Sequence, residues 1–421
     1  MKFLEKQFST IASDKYEPQS LKDLRSSAFN QFKEIGFPKK SWEAWRFTAV
    51  ENVEKNSFRL SNEADLPEDL FKSEDGLSIP TLLFLNGHYQ PDESNIPAGI
   101  KVNTLVDSYN EDAKLFNNGY DAGTNPFVIL NTAMMNSGFH IRISENTESH
   151  PPIRFLYLTT KLSEPIMNHP RLVVDVAHNT QATIIEEYRG ISPISYWNNA
   201  LTMIRAGNNS NLHHVRIQNE APVASHLSAT FYQIPTDGSI HGSYFSLGSA
   251  LHRHDVNVIL SGEGADITIN GLCLAKESQH VDHNIIMDHS SEHVTSRMLF
   301  KYILADKSTG VFNGRAIVRQ DAQKIDANQT NNNLLLGNNA LMNSNPQLEI
   351  YADDVRCTHG STTGQISEDA LFYLRSRGLD AASAKALLIN GFATEVVDDI
   401  NNEEVRDYPR QLLDAWLSRV N

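Results

Sequence analysis

Cys357 and His359 stand two residues apart in the stretch 351–378, YADDVRCTHGSTTGQISEDALFYLRSRG, just after the alternating segment Leu348-Glu349-Ile350-Tyr351. If that alternation is a strand, side chains two apart share one face, about 7 Å apart at the backbone. A thiolate and an imidazole presented together form a soft donor pair suited to iron or zinc. Two donors do not complete a site, so a cluster held here would need ligands from another chain. Arg356 is a neighbouring cation of the kind that lowers a thiol pKa, and Asp353-Asp354 lie just before it. From these residues alone, a functional and a structural Cys357 are both open. Cys273, in the apolar run ITINGLCLA, reads as a small core residue.

Histidine offers a second chemistry. The chain has 16, and seven fall within 241–293: His241, His252, His254, His280, His283, His289 and His293. His252-Arg253-His254 resembles a strand-borne pair of zinc ligands, and His280 and His283 add a second pair. A catalytic zinc needs three protein ligands and an open position. A zinc-dependent hydrolase built on His252 and His254 is therefore one alternative, although no HExxH or cysteine-paired signature accompanies it. The competing reading is a row of histidines laddered along a stacked sheet.

Other chemistries lack their residues. There is no Walker A loop, dinucleotide fingerprint or GxSxG elbow. Glu186-Glu187 and Asp353-Asp354 would alternate faces on a strand and cannot converge on one bond. The net charge of −15 argues against nucleic acid and against an anionic membrane surface. Two cysteines 84 positions apart form no disulfide framework and no CxxC, which suits a reducing cytoplasm. The first residues, MKFLEKQFSTIASDKYEP, lack the apolar run of a secretory signal. No segment approaches the roughly 20 apolar residues that span a bilayer. A cytoplasmic protein is expected.

At 421 residues the chain should hold two or three structural regions. Residues 1 to about 60 read helical, with Leu21, Leu24, Ala28, Phe32 and Ile35 at three- and four-residue spacing and Gly36 and Pro38 as the stop. Residues 61 to about 125 are mixed, broken by DLPED and QPDES. From 153 to 318, short alternating segments restart every 10–15 residues: 153–158, 172–177, 182–188, 212–217, 229–233, 256–260, 266–272 and 298–304. They predict an all-β sandwich, barrel or solenoid. Asn208-Asn209, Asn331-Asn332-Asn333 and Asn338-Asn339 fit turns or solenoid corners, where asparagine tolerates a left-handed backbone. After Gly364 the period returns to helical. Ser367 and Asp380 are N-cap candidates, Gly378 and Gly391 are stops, and a last amphipathic stretch, 403–420, contains Pro409 as a candidate start.

Several blocks resemble one family closely: QHVDH (279–283), GVFNGR (310–315), DAQKIDANQTNNNLLL (321–336), PQLEIYADDVRCTHG (346–360) and LFYLRSRG (371–378). GFPKKSWEAWRFT (36–48) and NPFVILNTAMMNSGFHIRI (125–143) extend the likeness upstream. Together they resemble the SufB/SufD family of iron–sulfur cluster assembly proteins, and with two cysteines and no clustered cysteine motif the chain is similar to the SufD branch.

The resemblance implies a mainly β fold, a right-handed parallel β-helix flanked by N- and C-terminal helical regions, with expected divisions at 1–145, 146–355 and 356–421. It implies a non-catalytic scaffold subunit that pairs with a SufB-like paralogue and recruits a SufC-like ATPase. A nascent iron–sulfur cluster would be shared with SufB where the two β-helix ends meet. His359 matches the family's ligand histidine there, with Cys357 beside it. No cofactor is expected to stay bound to the isolated chain, which would be open to homodimerisation. The amphipathic stretch with Leu412, Leu413, Trp416 and Leu417 becomes the expected SufC-docking surface. The remaining alternative, a β-helix enzyme acting on polysaccharide, fits poorly with a chain lacking a secretory signal.

Overall fold

Alternation of inward and outward side chains dominates residues 137–364, and in the computed structural model it resolves into two long sheets facing each other. The structure describes residues 2–13, 17–61, 78–112, 125–145, 150–160 and 162–420. Successive strands go alternately to the two sheets. The first sheet runs from Ser137–Ile143 through Pro170–Val176, Tyr196–Arg205, Ser225–Ile234, Leu251–Leu260, His280–His289 and Thr309–Val318 to Leu341–Ile350. The second runs from Thr81–Leu85 through Ile153–Thr159, Gln181–Gly190, Asn211–Asn219, Ser239–Ser246, Asp266–Ala275, Thr295–Leu304 and Asp326–Leu335 to Arg356–Gly364. Neighbours along both paths are parallel, with Gln181 opposite Asn211, 30 residues on. This is a β-solenoid of about seven turns with helices at both chain ends, which decides between the sandwich, barrel and solenoid that the strand pattern left open.

Each predicted alternating segment falls on one of these strands, with only 172–177 overrunning its strand, by one residue at Ala177. Inward positions fill the lumen between the sheets: Ile184, Leu212, Ile240, Ile267 and Met298 from one side, Val256, Val281 and Phe312 from the other. The chain turns from the first sheet to the second at a stacked corner. There Asn179, Asn209, Asp237, His293 and Lys324 take positive φ of 54–60°, and Gly264 is also positive. Each corner amide donates to a carbonyl of the next turn, as Asn209 does to Thr236 at 3.2 Å and His293 to Gln323 at 3.0 Å. Side chains with no left-handed preference are held there by that bond. Asn208-Asn209 is such a corner. Asn331-Asn332-Asn333 is not a turn but lies within the strand Asp326–Leu335, where Asn333 donates to Asn331 at 2.8 Å and Asn331 to the Phe300 carbonyl. Inside a lumen, amide pairing satisfies asparagine as well as a turn does.

Helices cover the outer faces. α1 (Lys2–Ala12), α2 (Gln19–Ile35), α3 (Glu51–Lys55), α4 (Leu105–Glu111) and α5 (Pro126–Met134) lie on the chain's N-terminal side. Phe29, Phe32, Phe37, Trp45, Phe127 and Leu130 bury Trp197, Leu227 and Leu251 of the first sheet. Of the predicted stripe of α2, Leu21, Ala28 and Phe32 are buried and Leu24 and Ile35 half-buried, and Gly36 ends the helix at φ 73°. α6 (Glu368–Ser376), α7 (Ala381–Val397) and α8 (Glu403–Val420) follow the last strand, and the apolar faces of α7 and α8 cover the second sheet. Ser367 and Asp380 cap α6 and α7 as expected. Gly391 does not stop α7. The helix runs through it because Ile389, Ala393, Val396 and Val397 are buried, and that packing outweighs the roughly 1 kcal/mol glycine costs in a helix. Nor does Pro409 start α8. Asn402 caps it, accepting from the Val405 amide at 3.0 Å, and the buried proline only interrupts the ladder. The DLPED break (65–69) and the division at 146 lie outside the described residues.

Candidate functional site

The last turn of the solenoid is uncovered. Among the described residues, Arg356–Gly364 pairs on one edge only, with Asp326–Leu335, and Leu341–Ile350 likewise pairs only with Thr309–Val318. Cys357 and His359 therefore do not continue the 348–351 segment. They belong to a new strand beyond a bend at 351–355, and helix begins only at Glu368. Cys357 lies opposite Ala327 and His359 opposite Gln329, on the inward register of the strand. The pair faces the mouth of the lumen, with Cys357 half-buried against the lumenal core and His359 exposed. Around the mouth stand Leu341 at 60 %, Ile350 at 41 % and Tyr351 at 62 % exposure. Large apolar side chains along one of the two unpaired edges form a surface that a second β-subunit could extend.

The surroundings of Cys357 do not activate the thiol. Burial pushes its pKa up and the Asp326 carboxylate adds to the effect. Arg356 does not counter this, because the next residue along a strand points to the other face. Asp354 is taken by Lys324 across the corner. Metal binding would have to displace the thiol proton itself.

Thiol and imidazole on one face suit iron, but they are two donors. Among the described residues no group of three or more His, Cys, Asp or Glu side chains is placed to hold a metal ion. That also removes the basis for a zinc centre at His252 and His254. Strand parity scatters the seven histidines. His252, His254 and His283 point into the lumen. His280 faces outward to Thr48 at 2.9 Å, and His241 faces Asp399 at 2.5 Å. His289 bonds the Ile317 carbonyl, and His293 is a corner residue. The three lumenal rings meet with centroids 5.3–6.4 Å apart, two of the contacts edge-on, and hydroxyls bond two of them: Thr230 with His254 at 2.9 Å, Tyr302 with His283 at 2.9 Å. Burial holds them neutral, lowering His283 to about 3 and His252 and His254 well below the usual range. Cys273 is a core thiol 3.6 Å from His283, its pKa raised by burial.

The C-terminal expectation also changes. Leu413, Trp416 and Leu417 are buried against the second sheet, and Leu412 is half-buried beside them. Tyr408 fastens the same helix, donating to Glu187 at 2.8 Å and accepting from Arg189 at 2.7 Å. The amphipathic stripe of α8 is spent inside the molecule. Exposed apolar side chains lie instead on α6, α7 and the turn between them: Phe372, Tyr373, Leu379 and Leu387. A network that the pattern of residues did not foretell joins the N-terminal segment to the solenoid. Arg253 stacks 3.8 Å from the Trp45 ring and pairs with Asp255 at 2.7 Å and Asp282 at 2.6 Å, while Thr48 also bonds Asp282. Its only sequence signal was that the blocks 36–48 and 279–283 both carry it.

Comparison with known proteins gives two family matches. Residues 157–392 match the model described as "SUF system FeS cluster assembly, SufBD core domain", and residues 3–155 match "SufBD protein N-terminal region". The iron–sulfur cluster assembly protein SufD of Escherichia coli (strain K12) is 30% identical, over 93% of this chain and 91% of that protein. An iron–sulfur cluster assembly SufBD family protein of Synechocystis is 31% identical, over 91% and 88% of the two chains. The SufD protein of Bacillus subtilis (strain 168) is 22% identical over 93% and 92%. Among the described residues no helix is long and apolar enough to cross a membrane.

Proposed function

This chain belongs to the SufB/SufD family of iron–sulfur cluster assembly proteins, and from that premise we propose that it is the scaffold subunit that supplies half of a cluster-building site. The observation that carries the reading is the open end: two soft donors, Cys357 and His359, on a last rung whose outer edge is unpaired, near exposed Leu341, Ile350 and Tyr351. A SufB-like paralogue would stack its own solenoid end there and bring the missing ligands. A site shared between two chains can be opened by moving one against the other, which suits a cluster that must be handed on. Neutral imidazole is an acceptable iron ligand, and Cys357 adds a thiolate if its proton is displaced.

The motion would come from a SufC-like ATPase, and the exposed apolar face of α6 and α7 is where we place its docking, in preference to the buried stripe of α8. The chain itself performs no catalysis in this reading, keeps no cofactor when isolated and works in a reducing cytosol.

The test is co-expression with SufB-like and SufC-like partners, followed by measurement of iron and acid-labile sulfide in the purified complex. His359→Ala should leave the complex assembled and remove most of the cluster. Equal loading in the variant and the wild type would place the ligands elsewhere.

A further inference from the structure

The rung beneath the Cys357–His359 pair holds a polar group whose hydrogen bonding is unfinished. Gln329 lies one register position below His359 and points the same way, into the lumen. It is 2 % exposed. Its Nε2 donates to the Gln347 carbonyl at 3.2 Å, which fixes which end of the amide is which. The other end, Oε1, has no hydrogen-bond partner among the described residues. That oxygen sits over Gly314, where a Cβ would come within 2.8 Å of it, so the missing side chain keeps its place open.

Few groups could finish the bonding of Oε1. Met298, on the rung below, has no side-chain donor. Gly314 and Pro346, stacked across the lumen, offer no side-chain donor either, and Pro346 has no backbone N–H. Asn331, two residues along, spends its Nδ2 on the Phe300 carbonyl at 3.2 Å. The next donor on the inward register is the imidazole of His359, one strand spacing of about 4.8 Å above, which the structure leaves unbonded to Oε1 and which a turn of its side chain toward the lumen would bring to it.

We propose that Gln329 is the positioning residue of His359: its Oε1 accepts the N–H of one ring nitrogen and so presents the other nitrogen, as a lone-pair donor, to iron at the mouth. A ligand histidine ordinarily has such a partner, which sets its tautomer and raises its basicity. The proposal rests on the reading of His359 as a cluster ligand.

The test begins with the full chain carrying 15N-labelled histidine, the His359 ring signals being those lost in His359→Ala. Wild type should show one neutral tautomer. Gln329→Met, similar in length but without an acceptor, should show both tautomers. Gln329→Glu, which returns an oxygen, should restore the single tautomer. Gly314→Ala, which displaces Oε1 without touching Gln329, should act in the same direction as the Met variant. In the co-expressed complex, Gln329→Met should weaken iron retention against a chelator by about 10- to 100-fold. An unchanged tautomer in both the Met and Ala variants would overturn the proposal, as would a fall in thermal stability alone. A shifted tautomer together with full cluster loading in His359→Ala would uphold the contact and refute the ligand reading on which it rests.

Discussion

The two ends of the solenoid are built to opposite plans. At the N-terminal end each sheet closes on an antiparallel strand, Ile100–Thr104 against Ser137–Ile143 and His88–Tyr89 against Thr81–Leu85. The lumen there is plugged by stacked rings: Phe84 lies 4.7 Å from Tyr157, Tyr157 4.7 Å from Tyr188, and Tyr89 meets Phe139 edge-on. At the C-terminal end both edges are bare and the inward positions are Cys357, His359, Ser361 and Thr363. An exposed β edge invites pairing with another chain, and proteins normally blunt it. One end blunted and the other left open is the asymmetry that the proposed interface requires, with Cys357 and His359 on its face.

Mutations at the two ends should fail in different ways. Phe84→Ala leaves a void in the closed end and should cost about 3–5 kcal/mol in urea unfolding, with partner association intact wherever the protein stays folded. Leu341→Asp combined with Tyr351→Asp should do the reverse. Both residues are exposed in the single chain, so stability should change by about 0.5 kcal/mol or less, while affinity for the SufB-like partner falls tenfold or more. Undiminished affinity in the double variant would mean that the open end is not the interface.

α6 gives a smaller contrast. Deleting everything after 365 would strip the cover from Ile185, Val215, Phe245, Leu272 and Ile303, so loss of ATPase binding in that deletion would say little about docking. Phe372→Asp avoids the problem because the side chain is 75 % exposed. It should weaken SufC association about tenfold with the thermal midpoint unchanged, and normal association would move the docking surface off α6.

How much of this could be read beforehand depended on what decides each feature. Strand segments were legible because alternation is local, and so were the caps Ser367 and Asp380, which need only their own helix. Which histidines converge was not, since it depends on the rung and parity each strand adopts, and a 30-residue repeat is set by corners rather than by any motif. The burial of Trp416 was hidden for a related reason. An amphipathic stripe has the same pattern whether it covers its own sheet or a partner's. The Cys-x-His spacing was legible, whereas the burial that raises the Cys357 pKa comes from the lumenal core of the turn beneath it. Gln329 carried no signal of its own, since its role rests on the glycine and proline stacked across from it.

The lumenal histidines sharpen the comparison from the inside. They outnumber the donors at the mouth, yet they are sealed and neutral, while His359 is exposed. Their contribution should appear in stability and not in cluster loading. The folded state holds His252, His254 and His283 below the value near 6.5 of an unfolded chain. The unfolded chain therefore takes up more protons as pH falls. Stability should be intact above about pH 6.5 and lost progressively toward the value of about 3 at which His283 protonates in place. Each such histidine can add up to about 1.4 kcal/mol per pH unit to that slope. Neither ring nitrogen of His252 has a hydrogen-bond partner among the described residues. His252→Leu should therefore change stability at pH 7.5 by no more than about 1 kcal/mol while making the acid slope measurably shallower than wild type. Subtracting the two curves cancels the carboxylates common to both. An unchanged slope would mean that His252 titrates normally, and a loss of cluster loading would show that the lumen takes part in assembly after all.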